Sequence, residues 1–156
     1  MTLKQKYQKG FTLLEMLIVC AIIATLVGIA VPSYMNILIK LKKQESASEL
    51  EDIAKQIQLF ELQNGRLPET LAEAGIDKTD PWGNPYQYIP IAGKPLTGKG
   101  KVKPRKDKFL HPLNSDFDLW SMGPDGKTAL PLTAGASRDD LIRAGNGSFI
   151  GVAEDY

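Results

Sequence analysis

Residues 11–31 form an apolar run that contains a single charged residue, Glu15. At a helical rise of about 1.5 Å per residue, a run of this length crosses the roughly 30 Å hydrocarbon core of a bilayer. Three lysines precede the run, at positions 4, 6 and 9, and the next lysine is Lys40. The positive-inside rule therefore predicts one transmembrane helix, with residues 1–10 in the cytoplasm and the rest of the chain exported.

Apolar positions continue at helical spacing beyond Pro32 in two stripes. The first stripe consists of Tyr34, Ile37, Leu38 and Leu41, and the second of Leu50, Ile53, Ala54, Ile57 and Phe60. Because proline lacks an N–H, we expect a kink or a stretched segment at Pro32. Gly65 predicts a helix end at Asn64. The pattern indicates one long, interrupted helix over residues 11–64, whose second stripe packs on the exported domain.

The segment after this helix has the pattern of a small β domain. The runs "PYQYIP", "DFDLWSM" and "SFIGVA" have the length and the β-branched or aromatic content of short strands, and glycine and proline separate them. A short helix is expected near residues 69–74. We therefore predict an α+β fold in which a long N-terminal α-helix, half transmembrane and half amphipathic, packs on a small antiparallel β-sheet.

The start of the apolar run carries a processing motif. On hydropathy alone, an uncleaved anchor would explain it, whereas a secretory signal has a shorter core and a distal cleavage site. However, "KGFTLLEMLIV" resembles the class III signal of type IV pilins and pseudopilins. The resemblance implies that prepilin peptidase cuts between Gly10 and Phe11 and that Phe11 becomes N-methylated. Glu15 would then be the fifth residue of the mature chain.

A carboxylate inside a transmembrane helix costs about 3 kcal/mol on insertion scales, so Glu15 is a candidate functional residue. It lies one helical turn after the amine that cleavage would create on Phe11. Two interpretations are open: Glu15 pairs with its own N-terminus, or, as the family implies, it meets the Phe11 amine of a neighbouring subunit in a filament and sets the stagger between subunits. Together with Pro32, these residues form the predicted assembly site.

Two further stretches narrow the resemblance. "DPWGNPYQY" and "FDLWSMGPDG" are similar to the major pseudopilins of type II secretion systems, and we expect Trp82 and Tyr86 to bury their rings against the sheet. The similarity is weaker over residues 94–108 and after Thr128. The implied organisation is a cytoplasmic leader peptide (1–10), a transmembrane and filament-core helix (11–32), an amphipathic helix (33–64) and a periplasmic β domain (65–156).

In that family the second stretch begins a loop that binds calcium, an ion that takes oxygen ligands. Carried over residue by residue, the ligands would be Asp125, the Met122 carbonyl and Asp139 or Asp140. This chain has "KTALPLTAGAS" where the family has an acidic, glycine-rich segment. The alternative is that Asp125 simply favours a turn and that "SRDD" caps a short helix, "DDLIRA".

Residues 94–108 form the most basic part of the chain, with seven lysines and arginines and one acid. Glycines, prolines and charges predict a mobile, exposed loop. An anionic partner or a neighbouring subunit is the alternative to plain solvation. The segment lacks the interleaved aromatic residues that nucleic-acid surfaces usually add, so DNA or RNA is not predicted as a partner.

Composition favours a structural protein over an enzyme. The nineteen basic and eighteen acidic residues nearly balance, and the one cysteine, Cys20, lies in the apolar run. His111 is the only histidine and is expected on the surface, and Asp116 and Asp118 are expected on the solvent face of a strand. The sequence has no phosphate-binding glycine loop and no cysteine cluster.

These patterns predict a non-enzymatic structural subunit of a periplasmic pseudopilus that polymerises to drive protein export by a type II secretion system. It would sit in the bacterial inner membrane as a single-pass protein with a periplasmic C-terminal domain before it enters the filament. The implied partners are prepilin peptidase, an inner-membrane assembly platform, minor pseudopilins and other copies of the chain. The alternatives are a type IV pilin in a surface fibre for adhesion, motility or DNA uptake, and an anchored binding module that never polymerises.

Overall fold

A computed structural model describes residues 10–109 and 111–156. One α-helix, α1 (Leu13–Asn64), is followed by strands β1 (Gln87–Pro90), β2 (Phe117–Ser121), β3 (Leu141–Ala144) and β4 (Phe149–Val152). The chain divides into two compact units, one ending at Ile39 and the other comprising Lys40–Tyr156. The predicted α+β fold, a long helix packed on a small antiparallel sheet, is confirmed. The leader peptide predicted at residues 1–10 falls almost entirely outside the described residues.

The four strands form one antiparallel sheet in the order β1-β2-β3-β4. Tyr88 pairs with Leu119, and Trp120 pairs with Ile142. The three runs identified as strands in the sequence correspond to β1, β2 and β4. Because neighbouring residues of a strand point to opposite faces, Leu119 and Trp120 serve two different cores.

The first core lies between α1 and the sheet. The second stripe of α1 supplies four of its members, Leu50, Ile53, Ala54 and Ile57, all at most 6% exposed. Phe117, Leu119 and Leu141 meet them from the sheet. The predicted packing of the stripe on the domain is therefore confirmed for these four residues, whereas Phe60, its fifth member, is only half-buried. Burial of each large aliphatic side chain contributes about 1.5–3 kcal/mol.

The second core lies on the other face of the sheet. It contains Leu113, Trp120, Leu132, Ile142, Ala144 and Ala153. Leu113 and Leu132 belong to the long connections that flank β2, so these connections cover the second face.

The interruption predicted at Pro32 is wrong at the level of secondary structure. α1 contains Pro32 and is one continuous helix of 52 residues. A proline removes a single donor from the ladder, and the next residue, Ser33, donates its hydroxyl hydrogen bond to the Ile29 carbonyl at 2.9 Å. The predicted end at Asn64 is confirmed, because Gly65 adopts φ +69° and its N–H bonds to the Glu61 carbonyl.

Two shorter helix predictions need correction. "DDLIRA" is not a helix, because Leu141–Ala144 forms β3, which pairs with β2 on one side and β4 on the other. Leu141 and Ile142 alternate between the two cores, and only a strand allows this. The helix expected near residues 69–74 is limited to one 3₁₀ turn, Ala72–Ala74, which Gly75 ends in a left-handed conformation.

Candidate functional sites

The N-terminal motif forms a hydrogen-bonded cap at the start of α1. The Thr12 N–H and hydroxyl donate to Glu15 Oε2 at 2.8 and 2.9 Å, and the Glu15 N–H bonds to Thr12 Oγ1 at 3.1 Å. This reciprocal arrangement is a capping box, which satisfies N–H groups that a helix start otherwise leaves unpaired. Thr12 was not predicted as a functional residue, although the Thr-x-x-Glu spacing indicates a capping box.

The cap places the Glu15 carboxylate beside the predicted cleavage site. Gly10 and Phe11 directly precede the capping residue, and the Phe11 side chain is 79% exposed. A cut between them would create an amine one residue before the Thr12 N–H that already binds Glu15. A positive amine and the helix dipole would both favour the ionised carboxylate there.

The first half of α1 presents apolar side chains on all sides. Leu13, Leu17 and Ile23 are 84%, 60% and 54% exposed, and Cys20 is a free, exposed thiol. α1 is long and apolar enough to cross a membrane, with a mean hydropathy of 2.6 in its most apolar window. Residues of the first stripe are also exposed, among them Tyr34, Ile37 and Leu41.

The predicted calcium loop brings two of its acids together. Asp139 Oδ2 accepts a hydrogen bond from the Asp125 N–H at 3.3 Å, and Asp125 Oδ1 accepts one from the Lys127 N–H at 2.8 Å. Gly123 has φ +66°, and a side chain there would clash with the Asp139 carbonyl oxygen. The turn that begins at Met122 therefore lies directly against Asp139.

The fourth predicted ligand, Asp140, has a different partner. It is fully buried, and its Oδ2 accepts hydrogen bonds from Arg105 Nη2 and from the Thr128 hydroxyl, both at 2.7 Å. Burial raises the pKa of Asp140 to about 6. Its Oδ1 is buried without a hydrogen-bond partner among the described residues. Arg105 thus supplies Asp140 with a positive partner from the chain itself.

Of the two alternative acids, Asp139 therefore lies against the Asp125 turn, whereas Asp140 is bonded to Arg105 and Thr128. Within residues 10–109 and 111–156, no group of three acidic, histidine or cysteine side chains is placed to hold a metal. Asp125 and Asp139, with nearby carbonyls, remain the part of the set that fits a hard cation.

Arg105 is the second residue that the sequence analysis missed. The loop of residues 94–108 was expected to be exposed, but the Arg105 side chain is 1% exposed. Its guanidinium lies over the Trp120 ring, 4.7 Å from the centroid, and its backbone N–H donates to Asp118 Oδ2 at 2.5 Å. Burial lowers the pKa of Arg105 from its ordinary value. Nothing in the local sequence distinguishes Arg105 from the lysines around it.

Asp116 and Asp118 do not form a solvent face, so this expectation is wrong. Asp118 is 1% exposed and accepts from the Asn114 amide at 2.8 Å, and burial raises its pKa. Asp116 binds the buried Arg143 through two hydrogen bonds of 2.5 and 2.9 Å. Both acids are bonded within the domain, which gives them a structural role.

The aromatic residues of "DPWGNPYQY" connect this turn to α1. Tyr86 is buried, as predicted, and its hydroxyl donates to Glu49 at 2.7 Å and lies 3.3 Å from the Ser46 hydroxyl. Burial is the main cause that raises the pKa of Tyr86. Trp82 is partly buried against the first core. His111 is exposed, as expected.

Comparison with known proteins agrees with both motifs. Residues 5–31 match the model of the prokaryotic N-terminal methylation motif. The chain is 30% identical to a protein of Escherichia coli K12 named type II secretion system core protein G, over 77% of this chain and 84% of that protein. A protein of the same name from Pseudomonas aeruginosa is 27% identical, over 80% and 89%. No solved structure matches the chain significantly.

The Escherichia coli relative covers more than two thirds of the chain, and the methylation motif coincides with the cap formed by Thr12 and Glu15. The chain therefore belongs to the type II secretion system core protein G family, the major pseudopilins.

Proposed function

We propose that this chain is a structural subunit of a periplasmic pseudopilus, which polymerises to drive protein export by a type II secretion system. The observation that carries the proposal is the start of α1. There, the carboxylate of Glu15 is fixed beside the predicted cleavage site, at the head of a helix whose apolar side chains are exposed. Family membership supports the same function.

The proposed sequence of events begins in the inner membrane, where α1 anchors the subunit and the domain of residues 65–156 lies in the periplasm. Prepilin peptidase cuts between Gly10 and Phe11, and Phe11 is methylated. An assembly platform then moves the subunit into a helical fibre, together with minor pseudopilins. The exposed apolar half of α1 packs among the same helices of other copies, which replaces its contacts with lipid.

Glu15 guides this assembly by charge. In an apolar environment a carboxylate gains much from a positive partner, because isolated charges are costly there. The Phe11 amine of a neighbouring subunit supplies that partner and sets the stagger between copies. Thr12 holds the carboxylate in position through its two hydrogen bonds. The subunit performs no chemistry besides its own processing.

Calcium is a second part of the proposal. Asp125, Asp139 and the Met122 carbonyl would hold the ion, and Asp140 would stay with Arg105. A bound cation would neutralise these two acids and hold the turn against the segment that leads into β3.

The test is to delete the gene in its own host and to compare the extracellular proteome with surface fibres seen by electron microscopy. Exported enzymes that accumulate in the periplasm while surface fibres persist would support a pseudopilus. An unchanged secretome with loss of surface fibres would overturn it in favour of a type IV pilin. Complementation with the intact gene is the control for effects on neighbouring genes.

A further inference from the structure

Residues 94–108, which we call the basic segment, are fixed to the domain at two successive residues. Arg105 is buried in its contacts with Asp140 and Trp120. The Lys106 N–H donates to the Leu130 carbonyl at 3.2 Å, and its carbonyl accepts from the Leu132 N–H at 2.9 Å. The buried guanidinium and this short ladder give the segment a defined course along the surface.

The lysines of the basic segment face solvent. Lys94 pairs with Glu69. The other five form no ion pair within the part of the chain that the structure describes; they are Lys99, Lys101, Lys103, Lys106 and Lys108. A single copy of the chain therefore leaves a concentrated positive charge without a partner.

Part of this charge lines a cleft of about 230 Å³. The aliphatic side chains of its lining are Leu96, Val102 and Leu130, and the lysines of its lining, which we call the lysine rim, are Lys101, Lys103 and Lys106. Among the described residues, no carboxylate lines the cleft. Lysines beside aliphatic side chains are complementary to a surface that presents acids beside exposed leucines.

The second half of α1 has such a surface. Glu45, Asp52 and Leu59 are exposed and lie seven residues apart, which places them on one helix face. Leu62 beside them is 82% exposed. Residues 45–61 contain five acids and one lysine, and the Lys55 ammonium lies 3.5 Å from Asp52.

We propose that the cleft of the basic segment docks on this α1 face of a second copy of the chain. The inference rests on the proposed function, since it assigns a contact within the filament. The two surfaces are different parts of one chain, so the contact is head-to-tail, the type of contact that builds a helical fibre when the rotation between copies does not close a ring. Its charged part weakens with salt.

The experiment uses the full-length chain, produced with its secretion machinery, and measures the sheared filament fraction against the membrane pool. Lys103→Glu combined with Lys106→Glu reverses the rim, and we expect the assembled fraction to fall about tenfold or more. Adding Glu45→Lys and Asp52→Lys restores opposite charges and should recover most of the assembly. Lys78→Glu with Lys99→Glu is the matched control, because both lysines are exposed and lie outside the cleft.

Wild-type assembly in the rim variant would overturn the docking contact and leave the proposed function standing. Loss of assembly that the α1 reversals do not repair would overturn α1 as the occupant. Normal assembly of the rim variant with defective export would also overturn α1 as the occupant, and would indicate that the cleft binds an acidic exported protein instead. If the wild-type chain forms no filaments, both proposals fail. Urea unfolding of each variant, which should match the wild type, separates lost docking from lost folding.

Discussion

The two halves of α1 use apolar residues in different ways. Up to Ile39 most large side chains are exposed, whereas in the second half the stripe from Leu50 to Ile57 is buried, together with Ser46. A helix that is apolar all round requires lipid or other helices around it, and one apolar stripe requires only its own domain. The difference shows that one continuous helix combines a surface for assembly with a surface for folding.

The largest expected effect separates assembly from folding. Glu15→Ala removes the only charge of the first half and leaves the domain untouched, so we expect processing at Gly10 and urea unfolding to stay normal while most of the assembled fraction is lost. Immunoblots of sheared filaments and of the membrane pool measure this. Asp77→Ala, an exposed acid outside α1, is the matched control. Normal filament yield and subunit exchange in Glu15→Ala would contradict the role of Glu15.

Arg105→Met tests how much of the domain depends on a buried charge. Removing one member of a buried ion pair costs about 3–5 kcal/mol, because the other charge is left without a partner. Urea unfolding followed by far-ultraviolet circular dichroism should show this loss. The double variant Arg105→Met with Asp140→Leu should recover most of it, and Lys103→Met is the exposed control. A loss below about 1 kcal/mol would show that the pair is not buried in solution.

Two isoleucines, one in each half of α1, allow the two halves to be compared directly. Ile53 is fully buried in the first core, and Ile23 is 54% exposed. Ile53→Ala should lower the free energy of unfolding by about 2–5 kcal/mol, whereas Ile23→Ala should leave domain unfolding unchanged. Urea titration of the detergent-solubilised full-length chain measures both. Equal losses would mean that the two halves do not differ as described.

Calcium binding is the next prediction, and it concerns the loop between β2 and β3. If Asp125 and Asp139 hold the ion, calcium at 100 times its dissociation constant stabilises the domain by about 2.7 kcal/mol. The increase in melting temperature should disappear in Asp125→Ala and persist in Asp77→Ala, an exposed acid far along the chain. An equal shift in Asp125→Ala, or no shift at millimolar calcium, would rule out this site.

The smallest expected effect concerns Tyr86. Burial raises its pKa in the folded state, so the unfolded chain releases this proton first as the pH rises. The stability that the neutral hydroxyl supplies is therefore complete below about pH 10 and is lost above it. Tyr86→Phe should cost about 1 kcal/mol at pH 8 and reduce the alkaline loss. Urea midpoints between pH 8 and pH 11 measure both. A steeper alkaline loss in the variant would contradict the assignment.

Much of the fold could be predicted from the sequence, because it depends on local patterns. The stripe from Leu50 to Ile57, the helix end at Gly65 and three of the four strands follow from periodicity and turn residues. β3 was missed because its flanking acids and its Leu-Ile pair also suit a helix start. Pairing with both β2 and β4 makes this segment a strand, and these non-local contacts are not visible in its own sequence.

The candidate sites divide in the same way. Gly10, Phe11 and Glu15 were identified from contiguous residues, and the Thr12 cap could have been. The contact of Arg105 with Asp140 joins residues 35 positions apart, so no local pattern announces it. The same contact explains why Asp140, an acid at a ligand position by resemblance, is directed towards a cation of the chain itself.

The position of β3 also dictates an order of events during synthesis. A chain leaves the ribosome from its N-terminus, so α1 is complete long before Leu141 exists. Until β3 and β4 emerge, the sheet is incomplete, and the stripe of α1 has only part of its core to pack on. The nascent subunit therefore exposes an apolar surface until the sheet is complete. Insertion of the first half of α1 into the membrane would separate this incompletely folded chain from other chains in solution.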